Sequence, residues 1–245
     1  MGNTFALFSA NGGEMLLRWM HYFAGVVWIG MLYYFNFVQG EWFKELDADE
    51  KMKPSRGVAV RTLVPRALAW FRYGALATWI TGILIIGLKG HLTGGMKGLL
   101  STGWWVWIGT GALFGTYMFL NVWLVIWPKQ KIVIASAKQV AAGGAALPEA
   151  AAAGARAGVA SRTNTLFSIP LLFFMGAASH LPSYVNPEFN GWAVFAFVAV
   201  ISGVLELNAL KGKSEYVKMV SVRGVTHMGL LLTAILYVGL ELLTK

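Results

Sequence analysis

The feature that most constrains this chain is a series of six long apolar stretches, at about 15–38, 66–88, 103–127, 165–181, 191–210 and 222–243. About 20 apolar residues of helix cross a ~30 Å hydrocarbon core. Inside lipid a helix satisfies every backbone N–H and C=O within its own segment, which an open strand cannot do. The expected fold is therefore an all-α integral membrane protein, a bundle of about six transmembrane helices forming one domain over 1–245. Composition agrees: the chain is 57% hydrophobic and only 13% charged, against about 25% charged in soluble domains. A soluble enzyme and a disordered chain are excluded. The absence of Cys removes disulfides, iron–sulfur clusters, thiolate-bound zinc and covalently attached c-type haem. The first stretch runs through Trp28, Tyr33 and Tyr34 without a small-residue cleavage site, so it reads as a retained helix rather than a signal peptide.

The basic residues sort by side. Lys44, Lys51, Lys53, Arg56, Arg61 and Arg66 fall between the first two stretches. Lys129, Lys131, Lys138, Arg156 and Arg162 fall between the third and fourth, and Lys211, Lys213, Lys218 and Arg223 between the last two. The opposite connections and the C-terminus carry only Lys89, Lys97 and Lys245. By the positive-inside rule the loops 39–65, 128–164 and 211–221 are expected in the cytoplasm and both termini outside, in a bacterial inner membrane. The net charge of +9 is thus a topology signal; lipids are the expected surroundings and nucleic acid is not an expected partner. Residues 41–56 read as an amphipathic surface stretch. In the Ala/Gly-rich 141–160, Pro148 is placed to open a helix that runs into the fourth stretch. Gly25, Gly30, Gly109, Gly111 and Gly115 favour close helix packing.

An ionisable side chain within a membrane span is a site hypothesis by default. His21, about six residues into the first span, His180 at the outer end of the fourth, and His91 beyond the outer end of the second all fall on the outer side. Arg18, His21, Gly25 and Trp28 follow one helix face. A His followed one turn later by Gly leaves room for the edge of a flat macrocycle, and Arg18 can neutralise a propionate. His21 and His180 are accordingly candidate axial ligands of haem b, with His91 as a further metal-ligand candidate. Three His with an open position would also suit a bare metal ion. His227 enters the last span from the other side. With Glu206, Asn164 and Asn208 it marks a candidate polar cavity for a substrate, or for a second haem. Each of these residues also has a bland reading, as a snorkelling cation or a self-satisfied polar contact.

Several stretches resemble a known family. Arg18–Gly30 (RWMHYFAGVVWIG), Leu68–Gly82 (LAWFRYGALATWITG), Asn121–Lys131 (NVWLVIWPKQK) and above all Ser161–Pro182 (SRTNTLFSIPLLFFMGAASHLP) are similar to the membrane domain of the bacterial urate hydroxylase/urate oxidase family. There a multi-helix membrane domain precedes a cytochrome c domain. The resemblance implies a membrane redox protein that passes electrons to a c-type cytochrome, and it singles out Arg18, His21, Trp28, Asn164 and His180. Because the chain carries no Cys-bound haem module, a stand-alone form with a separate c-type cytochrome is expected. From a different class, the chain reads as a cofactor-free accessory subunit of a larger membrane respiratory or oxygenase complex.

Overall fold

The computed structural model describes residues 5–181, 185–186, 188–211 and 221–245. Among these the regular elements are helices, and five are long and apolar enough to cross a membrane: Asn11–Ala48, Lys53–Leu92, Gly103–Ala141, Gly191–Lys211 and Val222–Thr244. In order, α1 is Ala10–Tyr33, α2 Gly40–Ala48, α3 Lys53–Leu92, α4 Met96–Leu100, α5 Gly103–Leu120, α6 Trp127–Ala141, α7 Ala150–His180, α8 Gly191–Lys211 and α9 Val222–Thr244. Wide π-helical turns at Tyr34–Gln39 and Asn121–Ile126 join α1 to α2 and α5 to α6 without a break.

The helices outrun the apolar stretches. α3 starts where Pro54 fits a first turn and stops at Thr93, where Gly94 and Gly95 take positive φ of 80° and 107°. Pro65 lies between those signals and removes one backbone donor without ending the helix, which continues into polar sequence. Most of 39–65 and 128–164, expected as loops, is likewise helix. The break near Pro148 is a turn at 142–149, with Gly143 at φ 88°, and α7 follows at once. Most of the 211–221 loop lies outside the described residues.

The expected fourth span, 165–181, belongs to α7, which packs against α1, α5, α6, α8 and α9. Thr163, Asn164, Thr165, Leu166, Phe167 and Ser168 are all buried. Six consecutive helical residues point all the way round the axis, so protein encloses α7 at that level. That is why it tolerates a polar T-N-T run that lipid would not. Its neighbours press close where side chains are small: a Cβ on Gly111 of α5 would meet Met175 Cε at 3.0 Å and the Leu171 carbonyl at 3.5 Å. On the outside, Phe23, Val26, Leu124, Trp192, Leu230 and Leu242 are each more than half exposed. Apolar exposure this extensive is foreign to a soluble monomer and suits a lipid-facing surface.

Candidate functional site

Two tightly packed helix pairs, α1 with α3 and α5 with α7, face one another across a cavity of about 750 Å³. That lies within the ~300–1,000 Å³ range of cofactor and small-molecule sites. Along α1 the lining runs from Arg18 to Tyr33, fifteen residues or about 22 Å at 1.5 Å per residue. His21 enters from α1, Thr78 and Gly82 from α3, Trp104 and Thr116 from α5, and His180 from the end of α7. The structure thus brings His21 and His180 to one cavity from two helices, with Arg18, Gly25 and Trp28 on the same wall.

The His21 ring is held from its back edge. Thr81 Oγ1 lies 3.0 Å from Nδ1. The threonine proton is committed to its own helix, to the Ala77 carbonyl at 2.7 Å with Thr78 O at 3.1 Å. Thr81 therefore accepts, and Nδ1 carries the hydrogen; the hydrogen-bond network assigns this tautomer. Nε2 keeps its lone pair. The ring fits because residue 82 is Gly: a Cβ there would stand 3.2 Å from His21 Cε1. Two turns along, Gly74 lets α3 approach the Trp28 backbone, with a Cβ position only 3.1 Å from Trp28 N. Gly25 and Gly30 both line the cavity; a Cβ on Gly25 would still lie 3.9 Å from Thr78 Cγ2 of α3, and one on Gly30 would meet nothing within 4 Å, so their missing side chains widen it. Trp28 is buried and its indole Nε1 has no partner.

At one end of the cavity, Glu14 pairs with Arg18 at 2.7 Å and with Lys89 at 3.1 Å. One carboxylate between two cations leaves a net positive rim. Sequence reasoning found Arg18 but missed Glu14, although Glu14 and Arg18 at i and i+4 were a legible pair. Toward the other end, Ser168 Oγ spends its proton on Thr165 O at 2.7 Å. Tyr33 therefore donates to Ser168 Oγ, 2.9 Å away, and ties α1 to α7. Beyond it Asn121 Nδ2 donates to Asn164 Oδ1 and to Glu206 Oε2, each at 3.0 Å, while Asn164 Nδ2 donates to the Met118 carbonyl at 3.0 Å. Asn36 donates to Ser161 Oγ at 2.8 Å. Both Asn121 and Asn36 sit in the π-helical turns, a distortion frequent at functional sites.

Two expectations need correction. His227 does not join this inner network: it is exposed on α9, its neighbours Val225 and Gly229 taking the buried face. Glu206 and Asn164 do meet, through Asn121, and Asn208 is fully buried on α8. His91 does not join His21 and His180. It is exposed in the last turn of α3, ten residues or about 15 Å beyond Thr81. Among the described residues no three His, Asp or Glu side chains gather as a metal cage.

The family model described as urate oxidase N-terminal matches residues 96–237, more than half of the chain. The chain belongs to the urate oxidase N-terminal family. Within it, the match covers the α5 and α7 walls of the cavity, including His180, and the whole Asn121–Asn164–Glu206 network, while α1 and α3 precede it. No curated protein and no solved structure matches the chain.

Proposed function

We propose that this member of the urate oxidase N-terminal family is an integral-membrane redox protein that would hold haem b between its two helix pairs through His21 and His180. The observation that carries the proposal is that His21 and His180 line one cavity from two helices, His21 with its Nε2 lone pair free and His180 exposed at the end of α7. The residues present suit the group in other respects: Gly25 and Gly30 keep the wall open, and the positive rim at Arg18 and Lys89 suits propionates. Haem, when bound, supplies a one-electron iron couple whose potential follows its axial ligands and burial. The chain's own residues orient the imidazole through Thr81, exclude water with apolar walls, and hold the anionic edge at Arg18.

In this reading α7 is a sixth crossing, the basic end of the bundle faces the cytoplasm of a bacterial inner membrane, and the cavity lies toward the outer face. A c-type cytochrome carried elsewhere is the electron acceptor, since no Cys in these residues attaches haem covalently. The family description names urate, which makes a purine anion the first donor to offer.

The test is a reduced-minus-oxidised visible spectrum of the detergent-purified chain, with haem quantified as the pyridine haemochrome. About one b-type haem per chain is expected, because His180 lines the cavity with His21 and His227 does not. His21→Ala and His180→Ala should each abolish the reduced Soret band. Either variant keeping the full band would sink the ligand pair. A colourless protein from a haem-replete preparation would overturn the redox reading and leave the accessory-subunit role.

A further inference from the structure

A second site lies on the basic side of the bundle, between α3 and α6, and does not depend on what fills the cavity. Arg72 is six residues inside Arg66 on α3. Its guanidinium carbon stands 3.8 Å from the centre of the Trp127 ring and 4.8 Å from that of Tyr73. On the same Trp127, Lys131 Nζ lies 5.7 Å from the ring centre. Among the described residues neither cation has a carboxylate partner. Arg72 makes one long contact, 3.4 Å to the Tyr73 hydroxyl, and its Nε is buried with no acceptor. Aromatic faces attract a cation but do not neutralise it, and they accept none of its N–H bonds in the guanidinium plane. The arrangement is a half-built anion site.

Depth says which anion. Lys89, in the charged cluster at the far end of α3, is seventeen residues from Arg72, about 26 Å along the helix. Set against a ~30 Å hydrocarbon core, this puts Arg72 within a few ångströms of the opposite boundary, where phosphates of lipid headgroups lie. Trp127 suits the same level, since Trp favours the membrane–water interface. Basic pockets between membrane helices on such a side take anionic lipid headgroups.

We propose that Arg72 and Lys131, set about Trp127, bind the phosphodiester headgroup of an anionic phospholipid in the groove between α3 and α6. Arg72 meets the phosphate with its planar N–H edge while its flat face stays on the indole; Lys131 adds the second charge from the polar side.

The experiment is native mass spectrometry of the full chain in neutral detergent, titrated with phosphatidylglycerol or with phosphatidylcholine. Phosphatidylglycerol should bind more tightly by at least about fivefold, the worth of one interfacial cation. Arg72→Gln and Lys131→Gln should each weaken it by about that factor and leave phosphatidylcholine unchanged. Lys44→Gln, on the same side but paired with Glu41 at 2.8 Å, should change neither. Should Arg72→Gln fail to fold, Lys131→Gln, on an exposed side chain, carries the test alone. Equal retention of the two lipids, unchanged phosphatidylglycerol binding in the variants, or an equal loss in Lys44→Gln would overturn the proposal. So would displacement of the lipid by excess inorganic phosphate, which would make this a free-phosphate site.

Discussion

Thr81 and His21 form a 3.0 Å hydrogen bond between α3 and α1, and the two backbone carbonyls behind Thr81 decide which partner donates. The pair links a local habit of threonine in helices, back-bonding to the preceding turn, to the tautomer of a histidine sixty residues away. Should His21 hold haem as proposed, the group that hydrogen-bonds the far nitrogen of such a ligand commonly matters by about 10–100-fold in affinity.

Thr81→Val should therefore lower haem occupancy of the purified chain, with apparent haem affinity down at least about tenfold. Thr81→Ser, which keeps the acceptor, should restore it. The check is haem titration followed at the Soret band. Equal affinity in the valine variant would mean that the hydrogen bond does not position the ring.

Gly82 gives a steric version of the same test. Gly82→Val places bulk where a lone Cβ already stands 3.2 Å from His21 Cε1, so the ring must turn and haem content should fall. Gly87→Ala, five residues on in the same helix and with no atom within 4 Å of its Cβ position, should leave haem content unchanged and raise the thermal midpoint slightly, since Ala is favoured over Gly in a helix interior by about 0.5–1 kcal/mol. Pyridine haemochrome and circular-dichroism melting, run on both variants, separate the two outcomes.

Asn121 is the junction of the inner network. Asn121→Ala removes two donor bonds and leaves the Glu206 carboxyl and Asn164 Oδ1 short of a donor, at a cost of about 1–3 kcal/mol for a buried group left unpaired. The thermal midpoint in detergent should drop. Combining it with Glu206→Gln should give less than the sum of the single losses, as contacting residues do. Strict additivity would show that the two do not interact.

At the cavity rim, Glu14→Gln leaves Arg18 and Lys89 facing each other without the carboxylate. The Arg18 and Lys89 side chains are about a third exposed and such near-surface pairs are worth about 1 kcal/mol, so the destabilisation should be small. It should also shrink with salt, because screening weakens the native attraction and relieves the mutant repulsion. Melting at about 0.01 M and about 1 M salt, where the Debye length falls from ~30 to ~3 Å, reads this directly. A gap that widens with salt would refute the electrostatic account.

Apolar length and the paucity of charge were sufficient, by themselves, to determine that this chain folds as membrane-length helices. Lipid leaves the backbone no alternative, and that constraint is local to each segment. The residues of the site were legible in type for a related reason: His21, His180, Glu206 and Asn164 are costly in an apolar surround, so their presence in such stretches stands out. Their grouping was not. Which residues share a cavity depends on how helices rotate and cross, and that is set by small contacts far apart in the chain, such as Gly74 against the Trp28 backbone and Gly111 against Leu171. Those contacts turned His21 and His180 to one space, joined Glu206 to Asn164 through Asn121, and left His227 and His91 outside. Tertiary structure also decided that α7 sits inside the bundle. Its polar run looked like a cost in lipid, and only enclosure by other helices, which no single segment encodes, turns it into a set of satisfied hydrogen bonds.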